Sequence, residues 1–177
     1  IDDVPTNNFE NILNTLDKHN VKATFFVIGS YVNNNNKKLL INAIRNGHHI
    51  ANHGMTSFPH FLLSKDKLSK EIEKCQNIIE KLYIKAKIKI PKIKYYRPGF
   101  GYISPIISKN KKKNNYQLLL GSIYPMDPTF SLPRLFPFFI LFKIKKGDII
   151  ILHDRKWTVE TLDLILPNLK FRFKCIV

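Results

Sequence analysis

The sequence predicts an α/β fold in which helices cover both faces of a parallel sheet. Two observations lead there. Helix-like and strand-like periods alternate along all 177 residues. The strand-like runs are also continuously apolar, as strands buried on both faces are. Such a sheet is either open and doubly wound or closed as a barrel. No glycine fingerprint follows the first strand, which counts against a dinucleotide-binding sheet. The length fits one domain over residues 1–177, large enough to bury about 70% of the unfolded chain's surface.

The elements follow in order. Ile1 stands in for a first strand whose start reads as trimmed. Phe9, Ile12, Leu13 and Leu16 fall on one helical face, and Asn20 ends that helix. Residues 23–28 form an apolar, β-branched and aromatic run of strand length, closed by Gly29. A helix over 39–44 stops at Asn46-Gly47, and a short strand at 48–51 follows. Ser64 is placed to cap a longer helix whose apolar stripe is Leu68, Ile72, Cys75, Ile79 and Leu82. Residues 93–96 read as a strand ending at Arg97-Pro98. The Lys/Asn-rich stretch 106–116 reads as a weak helix, and 118–122 as a strand. A helix is expected over 133–144 despite Pro137, then a turn at 145–148 and a strand at 149–152. Thr158 is expected to cap a last helix carrying Leu162, Ile165, Leu166 and Leu169, and 171–177 to close the chain as a strand. That makes about seven strands, with no internal repeat and no linker.

A hydrophobic share of 44%, with 12% aromatic, excludes a disordered or fibrous chain. The longest apolar run, 135–142, is broken by Pro137. It falls far short of the roughly 20 residues of a membrane span. No secretory signal opens the sequence. Lys plus Arg exceed Asp plus Glu by 29 − 13 = 16, which raises the question of a polyanion partner. The lysines are scattered, occur together with asparagine, and greatly outnumber arginine. This favours a solvated lysine-rich surface over a dedicated nucleic-acid site. Cys75 and Cys175 are too few for a metal quartet or a disulfide framework, and both read as small buried hydrophobes.

In parallel sheets, function collects beyond the carboxyl ends of the strands. The polar residues at those points are Asp2, Asp3, His53, Arg97, Asp127, His153 and Asp154. Singly, each has an ordinary reading: an aspartate capping a helix, or a histidine satisfied within a core. Jointly, carboxylates, imidazoles and one guanidinium converge on a single rim, as a hydrolytic metal site does.

Six segments then carry a specific resemblance. They are Ile1-Asp2-Asp3-Val4-Pro5, Ala23 through Gly29, Gly47 through His53, Tyr96-Arg97-Pro98-Gly99-Phe100-Gly101, Leu120 through Pro128, and Gly147 through Arg155. In order and over nearly the whole chain, they resemble the motifs of the polysaccharide deacetylases, the family-four carbohydrate esterases, in a form similar to fungal-type members. The resemblance implies an irregular (β/α) barrel of about seven parallel strands. It implies a metal-dependent hydrolase that removes N-acetyl groups from N-acetylglucosamine-containing polysaccharide, chitin or a related glycan. A divalent metal, most simply zinc, would activate the water and polarise the carbonyl. Such a role would place the protein outside the cell or at its surface.

By the same resemblance, Asp3 and His53 are metal ligands and Asp2 is the general base. Arg97 pairs with Asp2 and holds it ionised. The backbone N–H of Phe100 binds the oxyanion, and Leu152 lines the acetyl pocket. His153 is the general acid, with Asp127 holding its proton. One position departs from the pattern. Ser57 stands where the family has its second metal histidine, or where fungal-type relatives have an aspartate, and a hydroxyl is a poor zinc ligand. Three outcomes are open: His60 swings in, Asp3 and His53 hold the metal weakly alone, or the protein is a carbohydrate-binding pseudoenzyme. His60 by itself reads as an ordinary loop histidine.

Overall fold

The strand-like runs pair in parallel. In the computed structural model, which describes residues 1–108, 116–127, 129 and 133–173, β1 (Thr24–Val27), β2 (His49–Asn52), β3 (Lys94–Tyr96) and β4 (Tyr116–Leu118) lie side by side in that order. Thr24 stands opposite His49 and Lys94 opposite Tyr116. The ring closes through shorter contacts. Beyond β4 the chain bulges over 119–121 and pairs Ile123 with Ile150. His153 then pairs with Asp2, and Val4 with Val27 of β1, all in parallel. The result is the irregular (β/α) barrel, with residues 1–4 as its first strand.

Gly121 lets the bulge pass close to its neighbour. A Cβ there would sit 2.3 Å from Ile151 Cγ1 and 2.9 Å from the Ile149 carbonyl oxygen, so only glycine permits this approach.

The helices pack outside the ring. They are α1 (Phe9–Lys18), α2 (Lys37–Arg45), α3 (Lys65–Ala86), α4 (Phe136–Lys143) and α5 (Lys156–Arg172). The predicted stripe of α3 is its buried face. Phe9, Phe25, Leu40, Ile50, Cys75 and Ile165 belong to one core cluster between helices and sheet.

Several expectations need correcting. Residues 105–108 make a helical turn, but Tyr116 is already strand, and 109–115 lie outside the described residues. The strand expected to start at 118 therefore begins earlier, because Tyr116 buries its ring beside Tyr96. Ser64 does occupy the N-cap of α3, without a side-chain capping bond. Thr158 lies inside the first turn of α5, and Arg155 is the N-cap. The Thr158 hydroxyl donates instead to the His153 carbonyl at 2.5 Å. Phe171 and Arg172 extend α5 rather than starting a strand, since the Leu162–Leu169 stripe continues to hold the helix on the barrel. Residues 174–177, with Cys175, lie outside the described residues.

Candidate active site

At the carboxyl ends of the strands lies an open groove of about 550 Å³. Asp2 and Asp3 come from the first strand, His53 follows β2, Arg97 follows β3, and His153 ends the 149–153 segment. All five line the groove, as do Ser57, Phe100 and Arg155. The sheet brings them together although they span the whole chain.

Two buried pairs dominate. Arg97 Nη1 donates to Asp2 Oδ1 at 2.5 Å, with both side chains almost fully enclosed. Arg97 Nε also donates to the Leu119 carbonyl at 2.7 Å, and its guanidinium carbon lies 3.9 Å from the Phe26 ring centroid. Burial alone pushes the Asp2 carboxyl up. The positive charges of His53, Arg97, the Ile1 amine and His153 outweigh it and hold the group below the usual carboxylate range. On the other side, Asp127 is fully buried and accepts twice from His153. The His153 backbone N–H reaches Asp127 Oδ2, and ring Nδ1 lies on Asp127 Oδ1, both at 2.8 Å. With Nδ1 so engaged, ring Nε2 is the free nitrogen.

His53 Nδ1 lies 2.7 Å from the Arg97 carbonyl oxygen. A carbonyl only accepts, so Nδ1 carries a proton, and Nε2 is the nitrogen a neutral ring would offer to a metal. That nitrogen faces Asp3 Oδ1 at 3.7 Å. The other Asp3 oxygen, Oδ2, takes a bond from Arg155 Nη2 at 2.6 Å. Ser57 is exposed at the groove's edge.

His60 does not swing in. It is fully buried, stacks on Tyr96 and accepts at Nδ1 from the Tyr96 hydroxyl (2.6 Å) and the Gly99 N–H (3.1 Å). Burial first, then the charge of His53, lowers its pKa to about 4. It is a neutral strut beneath the 97–99 turn rather than a loop histidine. Gly54, at φ 85, makes room for it: a Cβ there would meet the imidazole at 2.5 Å.

The donors present do not fit a catalytic zinc. Such a site takes three strong protein ligands and keeps one position open. Here one carboxylate and one imidazole face each other, the third position offers a hydroxyl, and a guanidinium already neutralises the carboxylate. Among the described residues, no group of three His, Cys, Asp or Glu side chains is arranged to hold a metal ion.

Two sequence-predicted residues lie elsewhere. Leu152 does not line the groove; it lines a separate apolar cavity with Ile150 and Leu162, because alternate residues of a strand face opposite sides. Its neighbour Ile151 lines the groove, as His153 does. Asp154 is buried behind the rim, where Oδ2 accepts from the Thr6 N–H at 2.6 Å. Phe100 stands at the rim with a left-handed φ of 64, its backbone held in a turn by the Gly101 N–H on the Pro98 carbonyl.

Sequence reasoning missed Arg155 and Glu71. Arg155 directly follows the His153-Asp154 motif, so its place beside the site was readable, though its partner was not. Glu71 sits on α3, and its Oε2 gathers the Met55 and Thr56 N–H groups and the Thr56 hydroxyl within 3.0 Å. Nothing in the sequence ties that helix position to the loop bearing Ser57.

Comparison with known proteins bears on the fold and the family. The polysaccharide deacetylase family model matches residues 1–119. A peptidoglycan-N-acetylglucosamine deacetylase of Bacillus cereus is 32% identical over 165 residues, covering 90% of this chain and 74% of that protein. A family 4 acetyl xylan esterase of Clostridium thermocellum, solved with a cobalt ion, superposes with a TM-score of 0.84 at 31% identity, over 97% of this chain and 82% of that one. A family pseudoenzyme from Bacillus anthracis gives the same TM-score at 24% identity, over 97% of this chain and 59% of that one. A mutant of that pseudoenzyme has restored enzymatic activity.

Proposed function

Because the chain belongs to the polysaccharide deacetylase family, we propose that its groove binds an N-acetylglucosamine-containing glycan, chitin-like or peptidoglycan-like, and removes N-acetyl groups from it. One observation carries this reading: a carboxylate–guanidinium pair and a carboxylate–imidazole pair face the same groove.

Hydrolysis of an acetamide adds water across the C–N bond and yields acetate and a free amine. Asp2, kept ionised, accepts the proton of the attacking water. The Phe100 backbone N–H faces the developing oxyanion. His153, its Nδ1 anchored on Asp127, delivers a proton from Nε2 to the departing amine. Asp3 and His53 stand at the family's metal position, where the donors present do not fit a metal ion.

The test is acetate release from N-acetylated chito-oligomers and from peptidoglycan fragments. Release by the wild-type chain, absent from a His153→Ala variant, is the expected result. Absence of acetate with either substrate refutes the reading. A second reading has its own support in Ser57 and the Asp3–Arg155 pair. In it the groove binds the glycan without turnover, and titration calorimetry then records oligomer binding while no acetate forms.

A further inference from the structure

We propose that Arg155 is the resident cation of this site: its guanidinium neutralises Asp3 in place of a divalent metal, so the wild-type groove does not hold one. The inference rests on the groove being the family's glycan site, as proposed above. It concerns what sits on Asp3, not whether acetate is released.

Geometry comes first. Arg155 is the N-cap of α5, in an extended conformation at φ −130 and ψ 161. From there Nη2 reaches Asp3 Oδ2 at 2.6 Å, and Nη1 bonds the Asp154 carbonyl at 3.1 Å. Two bonds from one planar fork fix the guanidinium in a way a lysine ammonium does not reproduce.

The charge balance points the same way. The rim holds two acidic side chains beside the ligand position, Asp2 and Asp3, and each already has its own arginine. A divalent ion at Asp3 would bring two positive charges that no carboxylate on that side of the groove remains free to match. Coordination adds the third strand. Among the described residues, His53 Nε2 is the one imidazole nitrogen turned to Asp3. His60, the other imidazole near His53, accepts at Nδ1 from Tyr96 and Gly99, so its Nε2 carries the ring proton and offers no lone pair. Ser57 completes nothing.

Two changes should therefore create a metal site where one change does not. Arg155→Gln frees Asp3, and Ser57→His supplies the missing imidazole. Zinc content after dialysis and zinc titration by calorimetry are measured for the wild type, each single variant and the double variant. The wild type is expected to carry almost no zinc and to show no saturable site. The double variant is expected to carry a full equivalent, and to bind at least roughly tenfold more tightly than Ser57→His alone, the scale on which groups around a ligand alter metal affinity. Arg155 is partly exposed, at 31%, so both variants should fold. Circular dichroism checks that, and Arg155→Lys provides a second folded comparison that keeps the charge.

Three zinc measurements would overturn the proposal. One is a wild-type chain that retains an equivalent of zinc. Another is a Ser57→His variant that binds as tightly as the double. The third is a folded double variant that binds none. Acetate release is read separately on the same samples. Turnover by zinc-free wild type supports both the function and this inference. Turnover that appears only with zinc bound to the wild type keeps the function and removes the inference.

Discussion

Replacing Arg97 with methionine should destabilise the fold heavily, and the size of the loss follows from the structure. Arg97 and Asp2 are 3% and 4% exposed, so neither charge finds water once its partner is gone. The variant strands the Asp2 carboxylate and also loses the bond to the Leu119 carbonyl. Removing one partner of a buried pair costs about 3–5 kcal/mol. Two lost bonds from a charged donor, at about 1.5–3 kcal/mol each, give a similar figure. For a domain of this size, that is a fall of roughly 6–20 °C in melting temperature. The pH dependence supplies a second check. Asp2 titrates below its ordinary value in the folded chain. Its contribution is therefore fully present above the ordinary carboxylate range and is lost as pH falls through the folded value. Without Arg97 that depression shrinks, so wild type and variant should converge in acid. Urea unfolding of both proteins, at neutral pH and along a falling pH series that passes well below the ordinary carboxylate range, measures the gap. A neutral-pH loss under about 1 kcal/mol, the most an exposed pair such as Lys18–Asp163 contributes, refutes the reasoning. So does a gap that stays constant with pH.

Three further outcomes are expected. His153→Ala should lower acetate release by roughly 10² to 10⁴, the usual share of a positioned acid, while calorimetry still records glycan binding; unchanged turnover would remove His153 from the reaction. Gly121→Ala should cost about 1–3 kcal/mol in unfolding free energy, as overpacking does, because its Cβ meets Ile151 and a backbone oxygen; an unaffected variant would mean the bulge moves freely. Cys75 is buried, which pushes its thiol up to about 12. In a Cys175→Ser background it should react with a thiol reagent at pH 8 only as fast as the chain unfolds, and prompt stoichiometric labelling would contradict that burial.

Much of the barrel was legible because its strands are hydrophobic on both sides. Residues 25–28 carry that signal without interruption and Ile50-Ala51 carry a shorter form of it, and the helices between them carry a 3.6-residue period. Legibility failed where tertiary contacts override local pattern. Thr158 looks like a cap, yet its hydroxyl is needed at the His153 carbonyl. Leu152 looks like a pocket residue from its place beside His153, but one step along a strand reverses the facing side. His60 shows most clearly what composition hides. Its loop reads as exposed, and only the fold stacks it on Tyr96. Asp2, Arg97, Asp127 and His153 were readable as a set because each ends a strand, and strand ends converge in a parallel barrel. Arg155 ends no strand and waits at the head of a helix, so only the folded chain reveals its hold on Asp3.

The two arginine–aspartate pairs on this rim do not have equal standing. Asp2–Arg97 is sealed, and neither member can be exchanged without leaving a bare charge inside the protein. Asp3–Arg155 lies nearer water, at 18% and 31% exposure, where an ion pair contributes about 0–1 kcal/mol. The second pair can be replaced at little cost to folding, whereas the first cannot. The acid–base half of the site and the cation half are therefore separable. The groove can keep Asp2, Arg97, Asp127 and His153 in place while the cation at Asp3 changes between a bound metal and a side chain. Such separability predicts that Arg155→Gln shifts the urea midpoint only slightly, in contrast to Arg97→Met. Equal destabilisation by the two variants would show that both pairs are structural, and that the Asp3 position is no more exchangeable than the Asp2 position.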